Sequence, residues 1–155
     1  MIFKKVTLII AATALLLSCN KLSKKDEKAE IKIAGTWELV SGTTTTNGKS
    51  VTTDFTKDQK MIKIINETHF AFLKHKLNTP KDSTNGFDAG GGSYTLVGDK
   101  YTEHLDYYAD KRWEAKTFYF IVTIKNDTLI QKGIEKLDDA GINREIIEKY
   151  VKVSK

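Results

Sequence analysis

An all-β fold is predicted for most of this 155-residue chain from three features of its sequence. Turn-forming residues recur at short intervals, from Ser41-Gly42 and Asn47-Gly48 through Gly98-Asp99 to Asn126-Asp127 and Asp138 to Gly141. The runs between them are short and rich in β-branched and aromatic residues, and several alternate apolar with polar at period two. No segment of useful length has helical periodicity. Short, evenly spaced strands form a barrel or a sandwich, and about eight strands at this length suit an up-and-down antiparallel barrel, whose closure removes exposed sheet edges.

The first strand is expected at 35–41, where Trp37 and Leu39 oppose Glu38, and a weaker run at 49–54 follows the Asn47-Gly48 hairpin signal. Strands at 60–66 and 69–76 place Ile62 with Ile64 and Phe70 with Phe72. The connection from Asn78 to Ala89 is the longest polar one and reads as a mobile rim. In 92–97, Tyr94 and Leu96 oppose Ser93 and Thr95; in 100–108, Tyr101, Glu103, Leu105 and Tyr107 oppose Thr102, His104 and Asp106. Phe118, Phe120, Val122 and Ile124 line one face of 116–125, although Tyr119 and Ile121 make its other face partly apolar. Strands at 127–133 and 145–153 complete the set, and the interior is expected to be rich in aromatic rings.

Ahead of this domain, Lys4 and Lys5 precede an apolar run from Val6 to Leu17, broken only by Thr7 and Thr13. That is the layout of a secretory signal, too short for a helix to span a bilayer. Leu16-Leu17-Ser18-Cys19 resembles the bacterial lipobox. The resemblance implies a lipoprotein signal peptide at 1–18, cleaved before Cys19, with acyl chains such as palmitate on the thiol and the new amino terminus, enough for stable anchoring. Cys19 is the single cysteine, so no disulfide can form within the chain. Residues 19–33 read as the lipidated Cys and a flexible tether, because 20–30 are charged and lack aromatic and β-branched side chains. Residues 34–155 read as the barrel domain. The expected location is a bacterial cell envelope, lipid-anchored at the outer membrane and either periplasm-facing or surface-exposed.

The formal charge is +5 overall, but from Ile31 onward 19 Lys and Arg stand against 17 Asp and Glu with both signs interspersed. This excludes the basic footprint of a nucleic-acid binder.

Gly35-Thr36-Trp37-Glu38-Leu39 resembles the Gly-x-Trp opening strand of lipocalins. The order that follows, Thr68-His69-Phe70, Gly90 to Leu96, Gly98 to Glu103 and Asp127-Thr128-Leu129, is similar to the lipocalin-like lipoproteins of Bacteroidetes. The resemblance implies a calycin-type barrel, in a family whose biochemical role is mostly unassigned, with barrel closure by a cation on the last strand packed across Trp37; together with the inward aromatic rings it favours a small, mostly apolar ligand inside. Lys152 matches that cation, where the family usually has Arg. Placing Lys152 inward also turns Glu148 and Tyr150 inward and sends Ile147, Val151 and Val153 outward, against the hydrophobic pattern.

Glu103 is the polar residue of most interest, since alternation sets its carboxylate among aromatic rings, where a carboxylate must be paired, hydrogen-bonded or protonated. The candidate ligand-binding residues are Glu103, Tyr101, Tyr107, Phe70, Phe72, Tyr94, Phe118 and Phe120. His69 and His75 lie roughly 20 Å apart along one strand, and His104 is expected on the outer face, so no metal site is expected. Gly90 to Gly92 lead into a strand rather than a helix, which excludes a P-loop and suggests a bulge or close approach. Trp113 is set in a charged turn, where it would cap the cavity or meet a partner. No catalytic motif is present and no cofactor is expected. The sequence thus favours a monomeric, membrane-anchored small-molecule binder over an envelope module whose loops bind a protein or glycan.

Overall fold

The computed structural model describes residues 31–81 and 86–154, so Cys19, the signal segment and most of the tether lie outside the described residues, as does part of the rim loop. Nine antiparallel strands follow in order: β1 (Gly35–Thr46), β2 (Lys49–Asp54), β3 (Gln59–Ile65), β4 (His69–Lys76), β5 (Asp88–Val97), β6 (Lys100–Tyr108), β7 (Lys116–Lys125), β8 (Thr128–Leu137) and β9 (Ile142–Lys152). Apart from β2, each strand pairs with its neighbours in turn, and β9 returns to β1 with a register running from Trp37↔Lys152 to Thr45↔Glu145. The result is a closed eight-stranded up-and-down barrel with one extra strand. That strand is β2, which forms a hairpin with the second half of β1, from Ser41↔Asp54 to Thr46↔Lys49. β1 therefore extends beyond the expected 35–41, because its Thr-rich end is paired on both sides, by β2 and by β9. The hairpin turns at Asn47 and Gly48, both with positive φ (50° and 74°), the geometry whose twist matches a two-residue connection.

The alternation of β strands sends one set of side chains inward. At one end of the barrel these are apolar: Trp37, Leu39, Ile65, Phe70, Tyr101, Val122, Leu129 and Tyr150 are buried together. Ile33, just before β1, is 2% exposed and packs into the same cluster, so the folded unit takes in part of the segment that the sequence assigned to the tether. Its carbonyl accepts the Trp37 indole N–H at 2.7 Å, which seals that end. The Lys152 ammonium lies 5.5 Å from the centre of the Trp37 ring, within cation–π range.

The face that Ile62 and Ile64 share is the outer one, and one inward assignment, that of Tyr107, needs correction. Ile62 and Ile64 point outward, Ile64 being 42% exposed, and the residue between them, Lys63, points in and is 2% exposed. Tyr107 is also on the outside, 70% exposed. Its displacement comes from a bulge: between Ser93↔His104 and Gly91↔Tyr107, β5 advances two residues while β6 advances three. The extra residue reverses the phase of β6, turning Tyr107 out and Tyr108 in. Gly92 faces the bulge so closely that a Cβ there would meet the His104 carbonyl oxygen, while the Asp106 carboxylate accepts from the Ser93 N–H at 3.0 Å and its hydroxyl at 3.2 Å. The glycine run therefore serves strand geometry.

Candidate functional site

Opposite the sealed end, the barrel opens into a cavity of about 170 Å³. That is close to the ~150 Å³ space that admits benzene and below the ~300–1,000 Å³ typical of drug-sized ligands. Its aromatic and aliphatic wall includes Phe72, Leu105, Tyr108, Phe118, Phe120 and Ile146. Trp113 also lines it, 5.7 Å from the Phe118 ring and 6.3 Å from Tyr108 between ring centres, so the indole of the β6–β7 turn folds over the barrel.

Five acidic or basic side chains enter the same space, from β3, β6, β8 and β9: Lys63, Glu103, Glu135, Arg144 and Glu148. Lys63 donates to Glu103 Oε1 at 2.6 Å and to Gln131 Oε1 at 2.9 Å. Its ammonium also lies 5.3 Å from the Phe70 ring centre, 5.6 Å from Tyr150 and 5.8 Å from Tyr101. A charge so far from solvent persists only with such partners, because desolvation of an unpaired ammonium would exceed what the fold can offset. Nearer the mouth, Arg144 Nε donates to Glu135 Oε2 at 2.6 Å while the guanidinium stands 5.6 Å from the Trp113 ring centre.

The third carboxylate, Glu148, is held differently. Its Oε2 accepts the Tyr150 hydroxyl at 2.7 Å, and no cation lies within ion-pair distance among the described residues. Burial pushes its carboxyl above the usual carboxylate range, opposed by the charge of Lys63 and by the Tyr150 hydrogen bond. Burial likewise raises the Tyr150 and Tyr101 phenols well above normal. The Tyr101 hydroxyl is buried beneath this cluster without a hydrogen-bond partner. Tyr108 at the wall is pushed up to about 12 by burial and the neighbouring Asp88 carboxylate.

Of the candidates read from sequence, Glu103, Phe72, Phe118 and Phe120 line the cavity. Phe70 and Tyr101 are buried in the sealed end, where Tyr94 packs against Tyr101 at 5.2 Å between ring centres. Tyr107 is outside. Lys63, Gln131, Glu135 and Arg144 were missed. For Lys63 the signal was present as phase, since it shares a strand face with Met61 and Ile65, but a lysine between isoleucines reads as the polar face. His104 is hydrogen-bonded to Thr117 at 3.0 Å, and no group of three metal-ligating side chains occurs among the described residues.

The geometry defines a class: a closed up-and-down barrel, sealed at one end, with a small polar-floored cavity at the other. No protein-family model matches the chain, and no curated protein is significantly similar to it.

Proposed function

We propose that this chain is a non-enzymatic, membrane-anchored binding protein of lipocalin-like type, which holds a small ligand in the open end of its barrel. The observation that carries this reading is the cavity itself, about 170 Å³ at one end of a barrel whose other end is fully packed. A convergence of apolar wall and a few placed polar groups is what small-molecule sites have in common. The lining changes the expected ligand from mostly apolar to amphiphilic, because Glu103, Gln131, Glu148 and Tyr150 all border the space. Glu103 is already engaged by Lys63, which suits a fixed floor better than a general base awaiting a proton. Anchoring rests on the lipobox-like Leu16-Leu17-Ser18-Cys19.

A second reading, an interaction module of the envelope, is favoured by an apolar patch on the outer surface, where Tyr119, Ile121 and Ile134 are 70%, 46% and 59% exposed on adjacent strands. The deciding experiment is native mass spectrometry of the full chain taken from its own host, before and after denaturation. A reproducible extra mass that leaves on denaturation is expected. An empty barrel, together with covalent cross-links that map to the Tyr119 patch, would move the function to the outer face.

A further inference from the structure

We infer that the cavity selects ligands carrying a protonated amine on a compact apolar body, and that Glu148 receives the ammonium group. This deepens the binding reading and rests on it. Charge balance within the cavity is the starting point. Lys63 closes on Glu103 and Arg144 closes on Glu135, both at 2.6 Å, so each cation of the lining already has its anion. Glu148 is left over. Ionised, it gives the lining an excess of one negative charge in a space with little water; protonated, it makes the empty cavity neutral, and burial first, with Glu103 and Glu135 adding less, raises its pKa.

The orientation of Glu148 suits a ligand. Tyr150 occupies Oε2, leaving Oε1 with no hydrogen-bond partner among the described residues. A carboxylate with one oxygen anchored and one open can accept a charge-assisted bond from an ammonium, in a geometry fixed beforehand by the tyrosine. Phe72, Leu105, Phe118 and, beside Glu148 on β9, Ile146 supply an apolar wall, which accounts for a compact hydrocarbon or single-ring body within about 170 Å³. An anionic ligand would have to displace Lys63 or Arg144 from its partner. The charges facing Glu148 from other strands are Lys63 on β3, Glu103 on β6 and Glu135 on β8; the two carboxylates reinforce its preference for a cation, and Lys63 opposes them without reaching ion-pair distance.

Binding is therefore linked to a proton. The empty carboxyl holds its proton to higher pH than usual, and the incoming ammonium favours the carboxylate, so the Glu148 proton leaves to solvent as the amine binds. Affinity rises with pH until Glu148 is ionised in the empty protein as well.

Three probes with one ring and nearly the same body separate the possibilities: phenethylamine, 2-phenylethanol and 3-phenylpropionate, titrated into the full chain while the Trp113 fluorescence is followed. Phenethylamine is expected to bind on the order of tenfold to a hundredfold more tightly than the alcohol, with the propionate weakest. Its affinity should fall on going from ~pH 8 to ~pH 5, and Glu148→Gln should abolish both the preference for the amine over the alcohol and the pH dependence. Equal binding of amine and alcohol, or an amine preference that survives Glu148→Gln, would overturn the assignment and leave the cavity a binding site of other selectivity. Binding of none of the three would count against this inference and the binding reading together. Retention of the wild-type circular dichroism spectrum by Glu148→Gln separates lost selectivity from lost fold.

Discussion

At the sealed end, β3 and β9 turn Ile65 and Tyr150 inward against Trp37; further along the same two strands they turn in Lys63, Glu148 and Arg144. The backbone is continuous and the alternation unbroken through both ends, so the difference lies only in which side chains were placed at the inward positions. One end is organised by burial of apolar area, which is worth about 25 cal/mol per Å² and needs no specific partner. The other is organised by paired charges, each of which is costly without its mate. The sealed end stores stability, and the open end holds a polar arrangement that stability alone would not select.

The largest effects should separate these two roles. Trp37→Ala removes a fully buried indole from the sealed end and its bond to the Ile33 carbonyl. A loss of about 3–5 kcal/mol is expected in denaturant unfolding. Lys63→Met should cost a comparable ~3–5 kcal/mol, for the different reason that Glu103 is left buried and unpaired. The double variant Lys63→Met with Glu103→Gln distinguishes the two cases, because removing both charges should restore most of the loss, whereas nothing at the open end can rescue Trp37→Ala. Failure of the double variant to recover would mean that the pair contributes stability in its own right.

A smaller effect belongs to the bulge that joins the two regimes on β6. In Gly92→Ala the new Cβ would press on the His104 carbonyl, and about 1–3 kcal/mol of stability should be lost. The Trp113 fluorescence should change as well, since the bulge sets Tyr108 beside that ring. A change in stability without a change in fluorescence would show that the phase of β6 is set elsewhere.

The strand order and most strand limits were legible because turn residues and period-two alternation depend on local chemistry, and β4, β6 and β7 were read to the residue. The inward carboxylate of Glu103 was legible for the same reason. What failed did so where placement is not local. Tyr107 was misplaced because a bulge adds a residue that alternation cannot count. Lys63 was missed because its inward position depends on Glu103 and Gln131, 40 and 68 residues away in sequence, and a lysine with unseen partners is indistinguishable from a surface lysine. On β9 the pattern carried a genuine conflict, Ile147 and Val151 against Glu148 and Tyr150, and the fold resolves it by sending the charged set inward. Lys63 and Tyr107 were misread at the open end and its bulge, where the hydrophobic rule is set aside and local consistency is expected to break at a functional site, whereas Phe70, Tyr101 and Tyr94 were read inward correctly in kind but belong to the sealed end rather than the cavity.

Glu148→Gln sharpens the contrast through pH. The folded carboxyl is raised above its unfolded value of ~4.3, so the folded state retains the proton over a range where the unfolded chain has released it. Stability from this group is present in full at low pH and declines as pH rises through that window. The Gln variant lacks this decline and should be more stable than the parent near ~pH 7 and no more stable at ~pH 4, read from thermal unfolding at the two values. A variant less stable at both would make Glu148 a structural residue.

The smallest expected effect comes from the second ion pair, and it tests depth rather than distance. Arg144–Glu135 and Lys63–Glu103 share the same 2.6 Å separation. Their side chains differ in exposure, 36% and 17% at the mouth against 3% and 10% at the floor. Coulomb attraction at equal distance depends on the surrounding dielectric, and solvent at the mouth both screens the pair and rehydrates whichever partner is left alone. Arg144→Gln should therefore cost no more than about 1 kcal/mol, several-fold less than Lys63→Met, and raising salt from ~0.1 to ~1 M should shrink that effect while leaving the Lys63 variant unchanged. Equal losses in the two variants would mean that the mouth excludes water as thoroughly as the floor, in which case the cavity is closed in solution and a ligand could enter only by displacing Trp113 and the guanidinium stacked on it.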